Sequence, residues 1–316
     1  MVKTPTLVGA IALCVATFGC HPGTDDRPYT VTLDLTPDIR ALGSNDLFDR
    51  EPALERILAA GPAAVPALVA AYDAEPETVR AGIVDALRRI GGTGVIETIV
   101  TSASDDDARV RYEAVIALGK LARPRTGATV ERLLGDGDAR VRMAAANACA
   151  GLCSSATGMD TLVEMALDEP SPVGAMAARS SLVAIVNNAG RPTAGAARRS
   201  IEKRAFPAIE SADPLGRRAR AALLAYDVGD DRGTAVLVTA VTELDDPRLL
   251  IHAVHALGDI GSSDAVPALV AFLDRPGLGV YGYDALRRMT ERDVSGARAA
   301  QAAYTGTRPR HPLSPP

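Results

Sequence analysis

The sequence predicts an all-α fold, an α-solenoid of about eight stacked helix pairs. Three observations predict it. The stretch DDDARVRYEAVIALGKL, from Asp105 to Leu121, returns later in the chain as ELDDPRLLIHAVHALGDI. An Ala-x-x-Ala-Leu stripe recurs with its last position at Leu87, Leu118, Cys149, Leu182, Leu223, Leu257 and Leu286, and Leu58 adds a first copy. Between the stripes lie shorter apolar segments, two of which, AAVPALVAAYD at 63–73 and DAVPALVAFLD at 264–274, are near copies of each other.

The N-terminus comes first. MVKTPTLVGAIALCVATFGC places Lys3 before an apolar run from Leu7 to Phe18. That run is too short for a bilayer span, which needs about 20 residues, and it suits an export signal. It ends at Gly19-Cys20, which resembles the bacterial lipobox, although Thr17 and Phe18 stand where that motif prefers Leu and a small residue. The resemblance implies a signal peptide over 1–19 and diacylation of Cys20; ordinary signal cleavage and an uncleaved anchor are the other readings. In Gram-negative lipoproteins His21, in place of Asp, implies outer-membrane sorting. Residues 20–45 read as a linker in which Tyr29–Leu35 alternates like a short strand.

Repeats occupy 46–304. In the helix at 105–121, Val110, Ala114, Ala117, Leu118 and Leu121 make a one-faced apolar stripe, and Asp105 to Asp107 supply an N-cap and favourable charge at its start. Successive stripes are 31, 31, 33, 41, 34 and 29 residues apart. Each unit therefore reads as helix, turn, helix. Pro66 and Pro267 sit in the first turn of the short helices, where no amide donor is needed. One such pair cannot bury its stripe, whereas stacked pairs bury each other's. The 41-residue interval holds NNAGRPTAGAARRSIEKRA, expected to protrude as a longer loop or helix extension. Residues 305–316 are Pro-rich and expected to be disordered.

DARVRYEAVIALGKL, DARVRMAAANACAGL, DDPRLLIHAVHALGDIG and AVPALVAFL resemble compact HEAT-type repeats, of the kind also found in bilin-lyase-like proteins. In such repeats the second helix lines the concave side, often with an Arg near its start. Arg80, Arg111 and Arg142 match that position at 31-residue intervals. This row could bind an anionic partner bidentately, and the reading preferred over that is pairing within and between repeats to Asp107 and Asp138, which would stiffen the stack. Val173-Gly174 and Leu249-Leu250 lack the Arg, so the row covers only the N-terminal half.

Other chemistry is sparse. His252, His255 and Asp259 share one helix face and form a weak candidate metal set, replacing Glu113, Ile116 and Lys120 of the earlier copy. Cys149 and Cys153 could join as a disulfide in an exported protein, but helical i, i+4 spacing sets them about 5–6 Å apart, beyond the usual Cβ separation, and the expectation is two small buried apolar side chains. No nucleophile elbow, Gly-rich phosphate loop or His-Glu dipeptide occurs. Aromatics make up 3% of the chain and the net charge is −5, which argue against a deep aromatic pocket and against nucleic acid. The expected function is a non-catalytic scaffold without cofactor. It would bind another protein and be held at the cell envelope through a lipidated Cys20, in the outer membrane or facing the periplasm. A bilin-lyase-like or metal-dependent enzyme on the same repeats is the second expectation.

Overall fold

A computed structural model describes residues 34–307 apart from 189 and 191, together with 12–13 and 31–32. Cys20, the remainder of the expected signal peptide, and 308–316 of the expected tail lie outside the described residues. The expected strand at Tyr29–Leu35 is represented by Val31–Thr32, which pairs antiparallel with Ala12–Leu13. All other regular structure among the described residues is helical. The helices fall into two compact units, 1–153 and 154–316, divided between two repeats.

The first unit holds α1 (Thr36–Ala41), α2 (Leu47–Ala60), α3 (Val65–Tyr72), α4 (Glu77–Ile90), α5 (Ile96–Ser102), α6 (Ala108–Leu121), α7 (Gly127–Leu133) and α8 (Ala139–Leu152). Each stripe lies on a long helix of 14 residues, and the intervening helices α3, α5 and α7 have 7 or 8. Local sequence sets these lengths. Asp46, Asp107 and Asp138 cap α2, α6 and α8 by accepting the amide two residues on. Gly91 ends α4 at φ 73°, a left-handed conformation that a Cβ would strain. The stripes then form the core: Ile57, Ile83, Leu87, Val110, Leu118, Val141 and Cys149 are fully buried. Their helices stack in order, α4 on α6 and α6 on α8. Helix α1 lies inside the stretch expected to be linker. Leu35, Ile39 and Leu42 recur at helical spacing and are buried, so this short amphipathic turn closes the N-terminal end of the core.

The second unit holds α9 (Ala156–Asp168), α10 (Pro172–Asn187), α11 (Thr193–Glu210), α12 (Leu215–Asp227), α13 (Thr234–Glu243), α14 (Pro247–Ile260), α15 (Val266–Phe272), α16 (Gly279–Glu291) and α17 (Ala297–Thr307). With α1 paired to α2, the stripes belong to eight pairs, and α17 follows the last of them. Helix α17 runs into the stretch expected to be tail. The insert expected to protrude is mostly α11, and α11 is packed. Ala197, Ile201 and Ala205, at i, i+4, i+8, are fully buried in its contact with α9 and α12. That buried stripe, an isoleucine between two alanines, is what draws the extra length inward. Salt links add to the packing, with Arg204 reaching Asp160 at 2.8 Å and Arg217 reaching Asp168 at 2.7 Å.

Close approach needs glycine at one helix crossing. A Cβ on Gly258 of α14 would meet Ala285 of α16 at 2.8 Å, so the two stripe helices touch there through backbone.

Cys149 and Cys153 are joined by a disulfide, against the expectation of two free thiols. The expectation assumed that both residues are helical. Helix α8 ends at Leu152, so the pair sits at the helix terminus, where the two Cα atoms stand 4.5 Å apart, closer than a regular helical turn sets them.

Candidate functional site

Two of the three arginines in the predicted row are ladder rungs inside the first unit. Arg80 grips Asp105 bidentately at 2.8 and 2.8 Å, and Arg111 grips Asp136 at 2.7 and 2.9 Å. The partner is the aspartate 25 residues on, in the next repeat, and not Asp107 or Asp138. Those two are already engaged as helix caps. Asp105 and Asp136 also accept the amides of Asp107 and Asp138, so one Asp-x-Asp element both caps its helix and bridges two repeats. Burial disfavours the charged carboxylates, yet the arginine and amide hydrogen bonds outweigh it and hold both pKa values below the ordinary range. Tyr72 donates to Asp105 at 2.8 Å, and its own pKa is pushed up to about 12, by burial first. Arg142 donates to the carbonyls of Asp136 and Gly137. The row is therefore largely committed to holding repeats together.

His252, His255 and Asp259 share a helix face as predicted, but the structure does not gather them. The His252 Nδ1 lies 2.7 Å from its own helix's carbonyl at Arg248. The His255 Nδ1 lies 3.1 Å from the Arg288 guanidinium. Asp259 accepts from Tyr226 at 2.8 Å and pairs with Arg288 at 3.0 Å. A guanidinium between the imidazole and the carboxylate occupies the place a cation would need. Among the described residues no group of three His, Cys, Asp or Glu stands ready to hold a metal.

The concavity with unsatisfied chemistry lies elsewhere, in the first unit. A groove of about 450 Å³ runs across the exposed faces of α2, α4 and α6, closed at one end by the α1–α2 turn. Its rim and floor carry Arg50, Arg88, Arg89 and Arg109 against Glu51, Asp85 and Glu113. Asp85 is held by both Arg88 and Arg89 of its own helix. The Arg88 Nε remains buried without a hydrogen-bond partner. Among the described residues the guanidiniums of Arg50 and Arg109 form no hydrogen bond or ion pair, and neither does the Glu113 carboxylate. Burial first, and then the nearby Asp85 charge, push the Glu113 pKa up, although Arg88 and Arg89 pull it down.

Sequence reasoning came close to this groove without finding it. Glu113 occupies the position that His252 takes in the later copy, flanking the buried stripe on the solvent side. A signal was also present in VDALRRI at 84–90 and YDALRRM at 283–289, the same Asp-Ala-Leu-Arg-Arg on two stripe helices. Both copies fold into the same Asp–Arg clasp. What the pattern does not reveal is which arginines remain free, because that depends on the neighbouring helix.

Comparison with known proteins agrees with this architecture. A family model described as HEAT repeats matches residues 65–146, 96–183 and 203–281. The crystal structure of E. coli YibA is 15% identical, with 80% of this chain and 91% of that one covered and a TM-score of 0.53. Human deoxyhypusine hydroxylase is 20% identical over 81% of this chain and 91% of that one, with a TM-score of 0.31. The CpcE–CpcF complex of phycocyanin lyase from Nostoc is 19% identical over 89% of this chain and 99% of that one, with a TM-score of 0.30. The first likeness is one of fold, and the other two carry no argument about activity. No curated protein matches the sequence.

Proposed function

Since this chain belongs to the HEAT-repeat family, we propose that it is a non-catalytic scaffold that holds another protein at the bacterial cell envelope. The observation that carries the reading is the groove across α2, α4 and α6. It is a preformed concavity on the stripe-helix face, with charged groups that the protein itself leaves unpaired. HEAT-repeat proteins commonly bind other proteins, and stacked helices offer the extended surface for it. Such a surface needs no reacting residues, only groups positioned to be desolvated by a partner.

The envelope part rests on the N-terminal sequence and on Cys149–Cys153. A short apolar run followed by Gly19-Cys20 resembles an export signal with a lipobox, with Thr17 and Phe18 departing from that motif. A disulfide at the end of α8 fits an oxidising compartment, since thiols are kept reduced in the cytosol. One pair of acyl chains would tether the solenoid without any dedicated membrane domain, at about 0.8 kcal/mol per buried methylene.

Fatty-acid labelling and fractionation test the tether. The full chain is expressed with radiolabelled palmitate, beside Cys20→Ala. Label in the wild type, membrane-bound and absent from the variant, is the expected result. Unlabelled protein recovered from the cytosol overturns the envelope assignment.

A further inference from the structure

We propose that the groove across α2, α4 and α6 takes an extended acidic segment of the partner protein, with carboxylates clamped by Arg50 and Arg109. The inference rests on the scaffold reading and gives its partner a chemistry. Arg50 stands on α2 and Arg109 on α6, the two helices flanking α4, and both guanidiniums are free. A guanidinium presents a rigid fork matched to a carboxylate, so each is a ready bidentate clamp. Neighbouring helix axes lie about 8–10 Å apart, so the α2 and α6 axes that carry the two clamps lie about 16–20 Å apart. An extended chain rises about 3.3 Å per residue and covers that span with about six residues. The ligand is therefore a segment and not a single ion.

The remaining charges choose between kinds of anion. Four arginines face three carboxylates in the groove. A continuous polyanion such as nucleic acid would set a phosphate against Glu51 and Glu113 as well as against the arginines. A peptide avoids this, because its acidic side chains are separated and its backbone amides and hydroxyls can donate to Glu113. Arg88 and Arg89, clasped to Asp85, keep the floor positive without competing for the ligand. Beneath them Leu42, Leu54 and Ala81 are buried, and they hold the groove open on a packed base.

The test uses the full chain and a fluorescein-labelled (Glu-Ala)6 peptide, with (Gln-Ala)6 and (Lys-Ala)6 as controls, read by anisotropy at low salt. Binding of the Glu peptide alone is expected, weakened at least tenfold by Arg50→Gln combined with Arg109→Gln and little competed by inorganic phosphate. Thermal unfolding of the double variant checks that it folds. Glu113→Gln, which removes a like charge, is expected to tighten binding. Equal binding to wild type and double variant, or none to the Glu peptide, overturns the inference. The two readings fail separately: a cellular partner still captured by the double variant sinks the groove assignment and leaves the scaffold standing, whereas no partner captured by the wild type sinks the scaffold.

Discussion

Removing Arg111 should cost far more than a surface arginine normally does. Its guanidinium makes four hydrogen bonds, at 2.7 and 2.9 Å to the Asp136 carboxylate and at 2.9 Å to each of the Asp105 and Asp106 carbonyls. The two side chains are 18% and 7% exposed. Breaking a buried pair by deleting one partner costs about 3–5 kcal/mol, because a charge is left out of water unpaired. Arg111 keeps some access to solvent, which lowers the expectation for Arg111→Ala to about 2–3 kcal/mol. Asp136→Ala should cost a similar amount, and the double variant should fall short of additivity by about 1–2 kcal/mol. Arg140→Ala is the control: its side chain is 69% exposed beside Asp138, and it should change stability by less than about 0.5 kcal/mol. The assay is urea unfolding of the full chain by far-UV circular dichroism, with hydrogen exchange localising the loss to α6 and α8. Exchange is needed because repeat arrays can unfold in parts. The pair's contribution also has a pH signature. Asp136 titrates below its unfolded value, so its stabilisation is present above that value and is lost as pH falls through the lowered folded pKa. A loss for Arg111→Ala no larger than for Arg140→Ala, or strict additivity with Asp136→Ala, would refute the ladder as a structural device.

Other predictions concern single features. Alkylation of the unreduced protein should find no free thiol at Cys149 or Cys153, and their double Ala variant should lose about 2 kcal/mol through the short closed loop. Glu113 has a raised folded pKa, so its charge destabilises the native state once pH rises above the unfolded value. Glu113→Gln should accordingly be more stable at neutral pH than the wild type, with the difference vanishing in acid. Gly258→Val would drive a side chain into Ala285 and should cost about 1–3 kcal/mol by overpacking, seen as a lower urea midpoint. Asp160, held at about 2 chiefly by Arg204, stabilises above its unfolded value and loses that effect as pH falls from 3.8 towards 2. Arg204→Gln should flatten this acid limb.

The repeat was legible because it is written in residue spacing. A stripe at Val110, Ala114, Ala117 and Leu118 fixes which face is buried, and repeating it fixes what covers it. Helix α11 carries its own stripe at Ala197, Ile201 and Ala205, yet the 41-residue interval by itself reads as an excess that protrudes. One isoleucine between two alanines makes a narrow apolar stripe, and it signals close packing only once a neighbouring helix is known. The row at Arg80 and Arg111 was visible as a row, yet its partners lie 25 residues on, across a helix pair that spacing alone does not fold. Cys149 and Cys153 turned on the helix terminus: the last turn of α8 sets their Cα atoms 4.5 Å apart, closer than the regular helix that spacing assumes. The groove was least legible. Arg50, Arg109 and Glu113 read like other surface charges in the sequence, and what sets them apart is that the assembled helices bring them to one groove.

The central claim is that the groove recruits a protein at the envelope. Crosslinked affinity purification from detergent-solubilised envelopes tests it most directly, using the full chain, Cys20→Ala, and the double variant Arg50→Gln with Arg109→Gln. The account predicts a partner captured by the wild type and reduced in both variants. The same proteins recovered at equal levels from all three, or none from the wild type, would contradict it.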